Sequence, residues 1–322
     1  MNDSPVQFVR LWRRFCLCWD RFFFAPRDLR VCDIVRISFA VLLLVNYGFW
    51  WPNLELFFGE TGLIPRDVML KIGDPAANSL LFWLPETKSA LSICCALAMG
   101  HAVLLLLGIW PRAQAVASFI WLVSFQNRSP LILDGEDALM RLIAFYLMLM
   151  PLDQGPAVLL PFRRAAREAA KKNPPLGVAW GLRLLQLQVA WLFLVSGISK
   201  LHGRIWIEGE AVYYVARLHE FFPRFPVPAW LFDTPLPVRI ISWSVLVVEL
   251  AVPLLVWFQE TRRAALLLAL VFHLGSDYSM NLFLFHWLML VGWTSFLTTD
   301  DLETVGRFLT GGRKKNLADG SI

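Results

Sequence analysis

Charge is scarce in this chain. Only 17% of its 322 residues are Asp, Glu, Lys or Arg, while 57% are hydrophobic, with 25 Phe and 15 Trp among them. A water-soluble fold of this length could not hide that much apolar surface, so the lipid bilayer is the expected solvent for most of it. Cysteine is sparse too. Cys16 and Cys18 lie in a basic N-terminal arm, Cys32 at the start of the first long apolar run, and Cys94 and Cys95 inside another. No pair is placed as an extracytoplasmic staple. The sequence has no Ser-His-Asp order, phosphate-binding glycine loop, dinucleotide fingerprint or His-Glu-x-x-His. Zinc fingers, base-reading basic helices and aromatic single-strand platforms are missing as well, which argues against nucleic acid as a partner. No small-residue cleavage pattern follows the first apolar run, so no signal peptide is expected.

What is present is a series of apolar runs. Helices are expected at 33–51, 88–110, 113–131, 137–151, 176–198, 238–258, 262–280 and 282–299. Each is near the ~20 residues that a hydrocarbon core requires, although the fourth is short. Basic residues gather before the first run (Arg10, Arg13, Arg14, Arg21, Arg27, Arg30), between the fourth and fifth (Arg163, Arg164, Arg167, Lys171, Lys172) and after the last (Arg313, Lys314, Lys315). Eight crossings put all three clusters on one side, which the positive-inside rule makes cytoplasmic.

The expected fold is therefore an all-α polytopic membrane protein with about eight transmembrane helices and re-entrant or interfacial segments on the outer side. It would comprise a basic cytoplasmic arm at 1–30, a transmembrane domain at 31–299 and a cytoplasmic tail at 300–322, in the inner (plasma) membrane with both termini cytoplasmic. The outer loops 52–87, 132–136 and 199–237 are rich in Trp, Phe, Pro and Gly. Segment 207–222 has helical apolar spacing and suits a helix lying in the interface. Irregular backbone at this depth is tolerable only under protein or in a water-filled cavity. Residues 161–175 read as an amphipathic connector ended by its prolines.

Ionisable groups inside apolar runs are costly and usually face the bundle interior. Arg36 and Arg183, close to the inner ends, suit snorkelling to phosphates. Arg141 follows Asp137 by four residues, which puts both on one helix face and allows an ion pair. Glu249, mid-run in LVVELAVPLL, needs protonation or a partner. His273 and His286 are thirteen residues apart, not a metal-ligand spacing, and no metal is expected. Asn127 and Asn281 can donate or accept near the outer side. Lys200 closes an apolar run at the outer end. It either snorkels to headgroups or, if desolvated under the following loop, acts as a base, with His202 and Glu208 tuning it and Trp206 roofing it.

Three stretches together carry a resemblance: FQNRSPLILDGEDALMRLIAF at 125–145, SGISKLHGRIWIEGEAVYYV at 196–215 and FHLGSDYSMNLFLF at 272–285. In these the chain resembles the HTTM (horizontally transferred transmembrane) family, whose best-known relative is the vitamin K-dependent gamma-carboxylase. The resemblance implies that Lys200, in Gly-Ile-Ser-Lys-Leu, matches the carboxylase base, and that Trp206 and Gly209 match the tryptophan and glycine that follow it. It places His273 and Asn281 in a late histidine–asparagine segment. It further implies a reduced isoprenoid quinone as cofactor and membrane lipids and an unknown small molecule or peptide as partners. Lys200, His273 and Glu249 would then do the chemistry, while Asn127, Trp206, Gly209, His202, Asn281 and Arg141 line the quinone or lipid pocket. Only residues 300–322 follow the last expected span. That leaves no room for the carboxylase's large lumenal domain and argues against carboxylation of protein glutamates. The alternative is a non-catalytic binding, immunity or accessory protein.

Overall fold

The computed structural model describes residues 4–72, 78–154 and 173–309, and their regular structure is almost wholly helical. Ten longer helices organise them: α1 (Ser4–Phe24), α2 (Arg30–Trp50), α3 (Lys88–Leu107), α4 (Pro111–Arg128), α5 (Gly135–Met148), α6 (Trp180–Leu201), α7 (Pro235–Leu255), α8 (Arg262–Ser279), α9 (Phe285–Thr294) and α10 (Thr299–Leu309). The connector at 161–172 and the basic cluster at 313–315 lie outside the described residues.

Four stretches, not eight, are long and apolar enough to cross a membrane among the described residues: Arg30–Phe58, Lys88–Leu107, Trp180–Leu201 and Pro235–Leu255. This corrects the count of about eight spans. The other apolar runs fail for two physical reasons. Helix α5 has 14 residues and α9 has 10, rises of about 21 Å and 15 Å against a core of about 30 Å. Helices α4 and α8 are long enough at 18 residues, but α4 carries Gln114, Ser118, Ser124, Gln126, Asn127 and Arg128, and α8 carries Arg262, Arg263, His273 and Asp277. Those polar side chains spread the apolar stripe too thinly. The protein is all-α and multi-span, with its shorter helices packed among the spans.

The connections sort to two ends. Among the described residues, those following α2, α4, α6 and α8 meet at one end, and those following α3, α5, α7 and α9 lie at the other. At the second end a short antiparallel pair, β1 (Arg27–Asp28) with β2 (Leu176–Gly177), ties the start of α2 to the start of α6. The Asp28 carboxylate accepts from Thr299 Oγ1 at 3.1 Å and so fastens α10 to the same knot. Arg183 donates to the Phe22 carbonyl at 2.8 Å and lies 4.4 Å above the Phe22 ring, which docks α1 there.

Arg36 does not snorkel. It is fully buried, bonds Asp33 through Nε and Nη2 at 3.1 and 3.0 Å, and donates to the carbonyls of Leu105 and Leu106. Those carbonyls belong to the last turn of α3, where a helix leaves acceptors unsatisfied. At the opposite end, Arg128 is equally buried. It pairs with Glu86 at 3.0 Å and donates to the carbonyls of Ile64 and Gly59, each at 3.0 Å, pinning the long segment after α2 onto the end of α4. Beneath it Tyr47, Trp50, Phe58 and Phe125 interlock, with ring centroids 5.0–6.0 Å apart.

A buried acid–base pair between two spans

Lys200 lies in the last turn of α6 and finds its partner on α7. Its Nζ donates to both carboxylate oxygens of Glu249, at 2.9 and 2.7 Å, and to Ser196 Oγ at 2.7 Å. Ser196 precedes Lys200 by four residues, so both project from the same face of α6. The Lys200 side chain is 22% exposed and that of Glu249 only 7%. The Trp206 ring centroid stands 5.2 Å from Nζ, within cation–π range.

Gly197 makes this contact possible. A methyl group there would lie 2.9 Å from Leu250 Cδ2 and 3.2 Å from Glu249 Cβ. Without a side chain, α6 lets α7 approach until the carboxylate reaches the ammonium. Gly209 does a different job. It adopts φ +77°, a left-handed conformation that favours glycine, and sits against Arg239 and Trp243. The turn it makes ends the helix Arg204–Ile207 before the helix Ala211–Val215 begins, so 207–222 is not one continuous interfacial helix. Trp243 closes the turn by donating to the Ile207 carbonyl at 3.1 Å.

The other expected site residues divide. His202 is exposed and bonds its own helix at the Ile198 carbonyl, 2.9 Å, while Glu208 pairs with Arg204 at 2.6 Å. Neither is bonded to Lys200. Asn127 donates to the Asn78 carbonyl at 2.8 Å and holds a loop. Arg141 is joined to Asp137 through Gln126: Arg141 Nε donates to Gln126 Oε1 at 2.8 Å, and Gln126 Nε2 donates to Asp137 Oδ1 at 3.2 Å. Asn281 is exposed, and its backbone N–H donates to the Phe221 carbonyl at 2.7 Å.

His273 belongs to a separate, fully buried group. Trp293 Nε1 donates to His273 Nε2 at 3.2 Å, and His273 Nδ1 faces His286 Nδ1 at 3.2 Å. Since indole is only a donor, a neutral His273 carries its proton on Nδ1 and donates it to His286. That fixes the His286 proton on Nε2, which has no partner among the described residues.

Sequence reasoning missed Ser196, Gly197, Trp293 and Glu136. The Ser-Gly-x-x-Lys spacing carried a signal for the first two. Glu136, at the start of α5, sits beside Asp134 and Asp137; burial, with those two neighbours adding, pushes its carboxyl up to about 7.

Two cavities are present among the best-formed ones. One of about 320 Å³ is lined by Gly209, Tyr213, Tyr214, Asp233 and Arg239 among others; a second of about 280 Å³ lies at the start of α5. Neither includes Lys200 or Glu249. Among the described residues, no group of three or more His, Cys, Asp or Glu could hold a metal ion.

Apolar spans joined by a buried ion pair, under aromatic-rich connections at one end, define an all-α multi-span membrane protein. The HTTM domain signature matches residues 72–300, and the chain belongs to the HTTM family. It is similar to the sporulation-delaying protein SdpB of Bacillus subtilis (strain 168), at 24% identity over 187 residues. That alignment covers 53% of this chain and 54% of SdpB, so the chain spans about half the length of this curated relative. No solved structure matches the chain. The likeness to the vitamin K-dependent carboxylase extends no further than shared family.

Proposed function

We propose that the Lys200–Glu249 pair is the working centre of a membrane site for a lipid of the reduced-quinone class, with proton transfer as its chemistry. One observation carries this reading. A carboxylate in the middle of an apolar span is held by an ammonium that contacts both its oxygens, at 2.7 and 2.9 Å. A buried pair of this kind gains little stability over well-packed hydrophobic residues, so its presence in a span points to a role. Lys200 remains partly exposed beside the apolar surface of Ile198, Leu201 and Ile205. Polar atoms at the edge of an apolar belt suit an amphipathic ring carrying hydroxyl groups. On a topology with both termini in the cytoplasm of a bacterial cell, the site faces the outer half of the bilayer.

A quinol at the site would supply a weakly acidic hydroxyl and two electrons, which molecular oxygen would accept. Lys200 would hold its oxygen and Trp206 would cover it. Because Lys200 rests against a carboxylate, it enters with its proton on. Glu249 accepts a proton from a hydroxyl brought within reach, and the Lys200 ammonium faces the oxygen left negative. Lys200 becomes a neutral base only after passing its own proton to Glu249. The pair thus acts as one unit in either direction.

A second reading is a binding or accessory protein without catalysis. It is favoured by the matched charges of the pair and by the two cavities that leave it out. Oxygen uptake by the purified protein with reduced quinones separates the readings. Lys200→Ala and Glu249→Gln should each lower turnover about 100-fold or more, the usual contribution of a positioned acid or base, while lipid stays bound. Undiminished turnover in both variants would refute the proton-transfer role. Quinol binding without turnover in the native chain would establish the second reading.

A further inference from the structure

Helix α1 carries an apolar side that the bundle leaves largely uncovered. Leu11, Trp12, Phe15, Trp19, Phe22 and Phe23 recur at helical spacing along it. Their rings form a ridge, with centroids 5.7 Å apart from Trp12 to Phe15, 5.9 Å from Phe15 to Trp19 and 4.6 Å from Trp19 to Phe23. Leu11, Trp12, Phe15 and Trp19 are each more than half exposed. Arg10, Arg14 and Arg21 follow one another at intervals of four and seven residues, which places them together on the other side of the helix.

The helix has 21 residues, enough in length for a crossing, but four arginines and Asp20 keep it out of the hydrocarbon, where each charge is costly. Its attachment sets its depth. The last turn docks through Phe22, whose ring centroid lies 5.7 Å from that of Trp257 and 4.4 Å from the Arg183 guanidinium. Trp257 stands two residues beyond the end of α7, and Arg183 three residues after the start of α6. Helix α1 therefore joins the bundle where two spans leave the hydrocarbon, at the level of the lipid headgroups.

We propose that α1 lies in the interface of a leaflet containing anionic phospholipid, with its aromatic ridge among the upper acyl chains and Arg10, Arg14 and Arg21 beside the phosphates. Tryptophan and phenylalanine backed by arginine suit that boundary. Anionic headgroups also supply the counter-charge that four arginines and a single aspartate lack within the helix. A second copy of α1 is the poorer occupant, because it brings the same excess of positive charge. The inference is independent of the role of Lys200.

The test uses the full chain in nanodiscs, with Cys16→Ser and Cys18→Ser and a spin label on either Leu11→Cys or Leu17→Cys; Cys32, Cys94 and Cys95 are buried. Leu17 lies one turn from Arg13, Arg14 and Arg21, so the two labels report opposite sides without removing a charge. With phosphatidylglycerol present, the label at 11 should meet dissolved oxygen and be shielded from a water-soluble nickel chelate, and the label at 17 should show the reverse. This contrast should shrink in phosphatidylcholine alone and at high salt. Combining Arg10→Gln, Arg14→Gln and Arg21→Gln should lower partition into the anionic interface on the order of a hundredfold, with the melting temperature in detergent unchanged. Equal access of nickel to both labels in phosphatidylglycerol would overturn the proposal. So would a contrast that phosphatidylcholine, salt and the triple substitution all leave intact, since charge would then play no part. Dipolar broadening between labels at 11 in discs holding two copies would assign the face to a second chain and overturn it as well.

Discussion

Removing Lys200 should cost more than removing its partner, and removing both should cost least. In Lys200→Met the Glu249 carboxylate, 7% exposed, is left in an apolar helix with no counter-charge. Breaking a buried pair from one side typically costs 3–5 kcal/mol, and because Lys200 is itself 22% exposed the loss should fall at the low end, about 3 kcal/mol. Glu249→Leu leaves a lysine in the last turn of α6, still reaching water and the helix's terminal carbonyls, at a cost of about 1 kcal/mol. The double variant swaps an ion pair for apolar contact and should lie within about 1 kcal/mol of the native chain.

The coupling is therefore about 3–5 kcal/mol, well above the few tenths expected of independent sites. Thermal unfolding in one detergent reads it directly. At about 2–4 °C per kcal/mol, Lys200→Met should melt roughly 6–12 °C below the native protein, and the second substitution should restore most of that loss. Additive losses, or a Lys200→Met variant as stable as the native chain, would show that the carboxylate does not depend on the ammonium.

Three further outcomes follow from other parts of the molecule. Gly209→Ala must place a side chain at φ +77° and within 2.9 Å of Arg239 Cγ; a loss of about 1–3 kcal/mol is expected, read as a lower melting temperature with altered Trp243 fluorescence. Arg128→Met leaves Glu86 only its looser contact with Arg66 at 3.9 Å and strands two carbonyls, and should cost about 3 kcal/mol and open residues 59–72 to limited proteolysis; unchanged cleavage there would remove the clamp. The Glu136 carboxyl is raised from 4.5 to about 7 in the fold. The stability it contributes is therefore complete below about pH 4.5 and is lost as pH rises through about 7. Relative to Glu136→Gln, the native melting temperature should fall across that window, and parallel curves would contradict the assignment.

Much of the architecture was legible because hydropathy and length report spans directly. Runs expected at 88–110, 176–198 and 238–258 appear as Lys88–Leu107, Trp180–Leu201 and Pro235–Leu255. The same logic overcounted, because α5 and α9 are apolar but too short and α4 and α8 carry buried polar faces that a window average dilutes. Lys200 and Glu249 were each conspicuous as charges in apolar surroundings. Their pairing was not, since it joins residues 49 apart and depends on the bare backbone of Gly197, whose absent side chain leaves no trace in hydropathy. Arg141 and Asp137 showed the reverse failure. Their spacing suggested a direct pair, but Gln126 from α4 stands between them, and no one-helix pattern shows a neighbour on another helix.

The Gly197 contact also bears on how the protein is built. Helix α6 precedes α7 in the chain, and its lysine sits at a helix end where it can reach the headgroups as soon as the helix is inserted. Glu249 arrives later, within the second half of a 21-residue span. An acidic residue costs about 2.5–3.5 kcal/mol at the centre of an inserted helix and less toward its ends. That cost falls only when α7 has docked against Gly197 and the carboxylate has met Lys200. Docking of α7 against α6 and neutralisation of its carboxylate are thus one event: a copy of α7 that misses its neighbour keeps a bare carboxylate in lipid.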